Sequence, residues 1–230
     1  MKKLFPAASL VMAALAFTAC SEKKFHVEGS IENAKDSLLY FENISLEGPV
    51  VVDSVRLDAD GKFDFSDKCP EAPEFYRLRI AGQIINISVD STETVSVKAK
   101  MPDMAANYEV SGSEECSKIR QLALKQIALQ NKVILIEQNR ELGSDVISDS
   151  IMKMINVYKD EVKSDYIFKE PKAASSYFAL FQAIGPYLIF NPRSNRDDIK
   201  VFAAVATSWD TFYPGALRGE NLHNIAIEGL

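Results

Sequence analysis

Three cysteines and two histidines are the residues of this 230-residue chain whose chemistry goes beyond packing and charge. A thiol beside an imidazole makes a nucleophile and base, and two closely spaced thiols make a dithiol that exchanges with disulfides. Neither spacing occurs: Cys-x-x-Cys is absent from the sequence. Cys69 and Cys116 are far apart, and two readings stand for them. They form a structural disulfide in an oxidising compartment, or they are unpaired, small apolar side chains. His26 falls on an outward position of the first alternating run and reads as a solvated strand residue. His223 lies in the last helical segment and reads the same way.

Other chemistries need patterns that this chain lacks. A zinc centre takes three or four clustered ligands, and two histidines with two scattered thiols do not supply them. Asp58, Asp60 and Asp64 surround Gly61 as in a calcium loop, but the glutamate needed at the twelfth position is Cys69. Glycine-rich phosphate cradles are missing. Glu114-Glu115 and Asp197-Asp198 fall at expected helix starts, where the helix dipole accounts for them. No cofactor and no metal are expected. Two groups stay open. Tyr177, Phe178, Phe181, Tyr187 and Phe190 either line a hydrophobic groove or pack a helical layer. Arg193 and Arg196, in the polar run 191–198, either grip a partner's carboxylate or belong to a capped helix start.

The elements that must carry these residues fall into two regimes. From Phe25 to Val110 apolar residues alternate with polar ones, as in Phe25-Val27, Phe63-Phe65, Leu78-Ile80 and Val95-Val97. That period of two, rich in β-branched and aromatic residues, predicts seven or eight half-buried strands. Asp58-Ala59-Asp60-Gly61 reads as a hairpin turn with Gly61 at positive φ, and Ala81-Gly82 and Asp90-Ser91 as further turns. After Ser113 the spacing becomes helical. Ser113 caps a first helix that Gly143 closes, and a second runs over 145–166. Pro171 opens a third, which Gly185-Pro186 bends or ends, and Ser194 caps a fourth. The expected fold class is α+β: an N-terminal antiparallel β-sandwich or small barrel over 25–112, then an all-helical region over 113–230.

The start of the chain is an address. Lys2 and Lys3 precede an apolar stretch from Leu4 to Phe17, followed by Thr18-Ala19-Cys20. That is the anatomy of a secretory signal, too short for a spanning helix of about 20 apolar residues. A cysteine at the cut resembles the lipobox of bacterial lipoproteins. Residues 1–19 are then the signal peptide, Cys20 the lipidation site, and 20–24 a lipidated tether. A balance of 26 basic and 32 acidic residues argues against nucleic acid as a partner.

Several stretches, in order, carry a family likeness: Phe25-His26-Val27-Glu28-Gly29-Ser30-Ile31, Val52-Asp53-Ser54-Val55, Leu57-Asp58-Ala59-Asp60-Gly61-Lys62-Phe63, Phe75-Tyr76-Arg77-Leu78 and Val110-Ser111-Gly112-Ser113. Together they resemble a domain of unknown function at the N-terminus of lipid-anchored thiol-disulfide oxidoreductases of the TlpA/ResA type. In that family the β domain leads through a helical connector into a thioredoxin-like domain. Tyr177 to Phe181 and Trp209 to Gly219 look like that connector. The family's Cys-x-x-Cys has no counterpart here, so no catalytic residue carries over. The resemblance implies a non-catalytic accessory module that faces the periplasm, holds a redox domain or its envelope substrate proteins in position, and meets the membrane through its lipid. The alternative is a stand-alone lipoprotein that binds an envelope protein, peptide or glycan.

Overall fold

Strand β1 (Lys24–Glu32) buries Phe25, Val27 and Ile31 and exposes Lys24, His26 and Glu28, the alternation that a half-buried strand requires. The structure is a computed structural model, and it describes residues 23–228. Seven further strands follow: β2 (Leu38–Ser45), β3 (Gly48–Arg56), β4 (Lys62–Lys68), β5 (Glu74–Ile80), β6 (Gln83–Val89), β7 (Thr94–Lys100) and β8 (Tyr108–Ser111). They form two four-stranded sheets, ordered β4-β1-β7-β8 and β3-β2-β5-β6, and not a closed barrel. The inner faces enclose an apolar core in which Phe41 stacks on Phe65 at 5.2 Å and on Tyr76 at 5.1 Å.

Two details depart from the sequence expectation. First, β1 and β7 pair in parallel, although every other pair in the two sheets is antiparallel. Alternation reports which face of a strand is buried and is silent on its partner's direction. Gly29 permits this pairing: a Cβ there would lie 1.8 Å from the Val97 carbonyl oxygen, and its φ is +152°. Second, Asp58 to Gly61 is a turn but not a hairpin. Asp58 Oδ1 accepts from the Asp60 and Gly61 amides at 2.9 and 3.0 Å, yet the turn carries the chain from β3 in one sheet to β4 in the other. Ala81-Gly82 does close a hairpin, between β5 and β6.

Helix α1 (Glu114–Glu137) starts as the sequence predicts: Ser113 Oγ accepts from the Cys116 amide, with Glu114 and Glu115 in the first turn. It ends before Gly143, which instead caps α2 (Ser144–Val162). That helix runs into a π-helical turn over Lys163–Ile167. Pro171 stays outside α3 (Ala174–Leu180), which is shorter than expected. Gly185-Pro186 turns a small hairpin between β9 (Ala183–Ile184) and β10 (Tyr187–Leu188), after the helix has ended. Asn195, and not Ser194, caps α4 (Arg196–Phe212), its side chain accepting from the Asp197 amide at 2.9 Å. The last helix is α5 (Leu217–Glu228). No helix of the described residues is long and apolar enough to cross a membrane. The fold is α+β: two four-stranded sheets followed by five α-helices, with the β9–β10 hairpin between α3 and α4.

Helix α1 joins the two regimes. Cys116 packs into the sandwich core and its Sγ donates to the Ser88 carbonyl of β6 at 3.1 Å. Farther along, Ile119 and Leu122 enter a second core with Trp209, Tyr177 and Phe75. Phe75 belongs to β5, so the helical layer rests on the outer face of the second sheet.

Candidate functional site

Cys20 lies outside the described residues. Cys69 and Cys116 are both free. Cys116 is 1 % exposed, and burial foremost pushes its thiol up to about 11. Cys69 is partly buried beside the Pro70 carbonyl. His26 Nδ1 stands 3.5 Å from Asp64 Oδ1 on an exposed strand face, and His223 meets Asp210 on the surface of α5 and α4. No group of three or more His, Cys, Asp or Glu is arranged to hold a metal among the described residues.

The polar run before α4 is now accounted for. Asn191 Oδ1 accepts from the Arg193 amide at 3.2 Å. Buried Asp198 accepts from the Asn191 amide at 2.8 Å and from Lys159 Nζ at 2.6 Å. Arg193 pairs with Glu228 of α5 at 3.2 Å, both side chains exposed. Asp197 pairs with Lys200 at 2.9 Å, so Arg196 is exposed without an ion pair among the described residues.

The aromatic group divides. Tyr177 and Phe190 are buried, whereas Phe181 and Tyr187 are more than 40 % exposed. Tyr177, Phe178 and Phe181 form one wall of a cleft of about 420 Å³, and Ile44 and Phe75 of the second sheet, with Leu46 of the β2–β3 turn, form the other. The cleft therefore follows the seam between sheet and helices.

Its floor is Arg218 of α5. The guanidinium donates to Glu74 Oε1 at 3.1 Å and Oε2 at 2.7 Å, and to the Ile44 carbonyl. It also lies 4.9 Å from the Phe75 ring centroid and 5.5 Å from that of Tyr177. This side chain is 7 % exposed, and its charge is carried by the bidentate Glu74 pair. Amides brace the back wall. Gln182 Oε1 accepts from Tyr158 at 2.7 Å, and its Nε2 donates to Leu122 O at 3.1 Å and Gln126 Oε1 at 3.0 Å. Gln126 Nε2 in turn donates to Ala183 O at 2.7 Å.

Beyond the cleft, on the same outer face, Glu42 is almost fully buried between Arg77 at 2.5 Å and Arg79 at 2.6 Å. The Arg79 hydrogen bond foremost, helped by Arg77 against the opposing effect of burial, holds the Glu42 carboxyl below the usual carboxylate range. Burial foremost pushes Tyr76 up to about 12 and raises Tyr177 as well. The cleft's phenols thus stay neutral and its guanidinium stays charged near neutral pH. Groups fixed in this way suit hydrogen bonding and shape recognition; proton transfer needs a group that titrates near the working pH.

Residues 25–118 match the model of a family described as Domain of unknown function (DUF4369). No curated protein matches the chain. The match opens at Phe25, the first core residue of β1, and ends in the second turn of α1, just past Cys116. That boundary is physical, because Cys116 is part of the sandwich core. The cleft draws one wall from the DUF4369 region and the other from the helices after it.

Nothing in the residue pattern pointed to Arg218 and Glu74, which stand 144 positions apart. Glu42, Arg77 and Arg79 had a weak one. Two arginines at a spacing of two put two cations on one strand face, which requires an anion nearby.

Proposed function

We propose that this chain is a non-catalytic, lipid-anchored module of the bacterial cell envelope, facing the periplasm. It positions a thioredoxin-like redox domain or that domain's substrate proteins. The observation that carries this reading is the bridge from buried Arg218 to half-buried Glu74. It fastens the helical layer to the sandwich, so the body acts as one stiff spacer between the lipid on Cys20 and whatever it presents. Tethering raises the effective concentration of a partner without new contacts. Cys116 supports the same reading: it is buried and its pKa raised, and thiol exchange requires an accessible thiolate.

Cell fractionation tests the anchor: the wild-type chain sediments with membranes and Cys20→Ala does not. Insulin reduction tests the non-catalytic role. The purified chain, given dithiothreitol, leaves the rate at background, and enzymatic turnover by the chain alone overturns the reading.

A second reading, a stand-alone lipoprotein that binds an envelope peptide or protein, is favoured by the cleft. A half-open hollow with aromatic walls and amide side chains has the features of a recognition site.

A further inference from the structure

At one end the cleft meets the outer face of the second sheet. Arg77 follows Phe75 by two residues on β5 and therefore shares its face. It stands opposite Asn86 on one neighbouring strand and opposite Glu42 on the other. Asn86 lines the cleft, and directly opposed residues have Cβ atoms about 5 Å apart, so Arg77 adjoins the cleft lining.

Charge there is unbalanced. Arg218 is answered by Glu74, whereas Arg77 and Arg79 share the single carboxylate of Glu42. Within this ion-paired set three guanidiniums meet two carboxylates, an excess of one positive charge, while Asp67 acts on Tyr76 of the cleft, in a chain whose net charge is −6. Glu47 at the hairpin tip is exposed and does not line the cleft. The side-chain amide of Asn86 has no hydrogen-bond partner among the described residues.

We propose that the cleft binds the carboxyl end of a short apolar peptide. One apolar side chain lies against Tyr177, Phe178 and Phe181, a main-chain amide bonds to the Asn86 carboxamide, and the terminal carboxylate pairs with Arg77. A fatty acyl chain would fill the hollow but leave the Asn86 amide buried and dry, which is unfavourable. A neutral glycan offers no second anion to the two guanidiniums that share Glu42. The inference rests on the binding reading of the cleft and is independent of the anchor.

The chain's single tryptophan reports occupancy, because the Trp209 ring centroid lies 4.9 Å from that of Tyr177. The full chain in phosphatidylcholine vesicles is titrated with N-acetyl-Leu-Leu-Leu as the free acid, with its C-terminal amide, and with oleate. The acid binds about tenfold more tightly than the amide, as one charge-assisted pair implies. Arg77→Gln removes that preference and leaves the amide's affinity within about twofold. Phe181→Ser weakens both peptides by about tenfold. Both variants retain the fold, since Arg79 still holds Glu42 and Phe181 is 43 % exposed; thermal melts verify this. Absence of peptide binding, equal affinity for acid and amide, a preference that survives Arg77→Gln, or tighter binding of oleate overturns the proposal. A chain that does not associate with the vesicles contradicts the anchor alone, and the same titration then proceeds in solution.

Discussion

Arg218 of α5 and Glu74 of β5 are held together at 2.7 Å but are unequally shielded, with 7 % and 32 % of their side chains exposed. Removing the more exposed partner strands the more buried charge. Glu74→Leu therefore destabilises by about 3–5 kcal/mol, because it leaves an unpaired guanidinium among Phe75 and Tyr177. Arg218→Met costs about 2 kcal/mol, since Glu74 turns to water. Urea unfolding of the two variants checks the order. Equal losses, or a larger loss for Arg218→Met, contradict it.

Glu42 gives stability a dependence on acid. Its pKa is depressed in the folded protein, so its contribution is complete above the unfolded value and is lost as pH falls through the folded one. The wild type thus exceeds Glu42→Gln in stability at pH 7, and the gap narrows below about pH 4.5. Urea midpoints from pH 3 to pH 7 measure this gap. A gap that is constant across the range contradicts the assignment.

The two thiols differ in access. With an aromatic disulfide reagent at pH 8, Cys69 reacts readily, and Cys116 reacts only after denaturant is added, as its burial and raised pKa require. Mass spectrometry of the labelled peptides identifies which thiol reacted. Rapid native labelling of Cys116 contradicts the packing described for α1.

Gly29→Ala drives a methyl group into the Val97 carbonyl of the parallel neighbour. The expected loss is about 2–4 kcal/mol, the range of a steric conflict in a packed core. Thermal unfolding reads it as a lowered midpoint, and an unchanged midpoint contradicts the β1–β7 register.

The strands and most helices were legible in the sequence because burial writes a period, as Phe25-Val27 and Ile119-Leu122 show. The partners of strands were not. Nothing near Glu28 names Ser96 as its neighbour, and nothing in Asp58 to Gly61 says that the chain changes sheets there. Helix ends were misplaced where two residues competed for one job. Gly143 suits a helix end or a helix start, and Ser194 and Asn195 are both capable caps. The cleft was half legible. Tyr177, Phe178 and Phe181 stood out as an aromatic set, but their opposing wall comes from Ile44 and Phe75, which lie in the alternating stretch about 100 positions or more earlier.

The parallel β1–β7 pair also bears on the order of events as the chain is made. Glu28 and Ser96 are 68 positions apart. At a synthesis rate of about 5–20 residues per second, several seconds separate their emergence. In that interval β1 first waits for β4, complete only at Lys68, and then keeps an open flank until β7 follows, so the first sheet stands half assembled without β7 and β8. A chain whose sheet closes this late keeps a strand edge unpaired until β7 has been made.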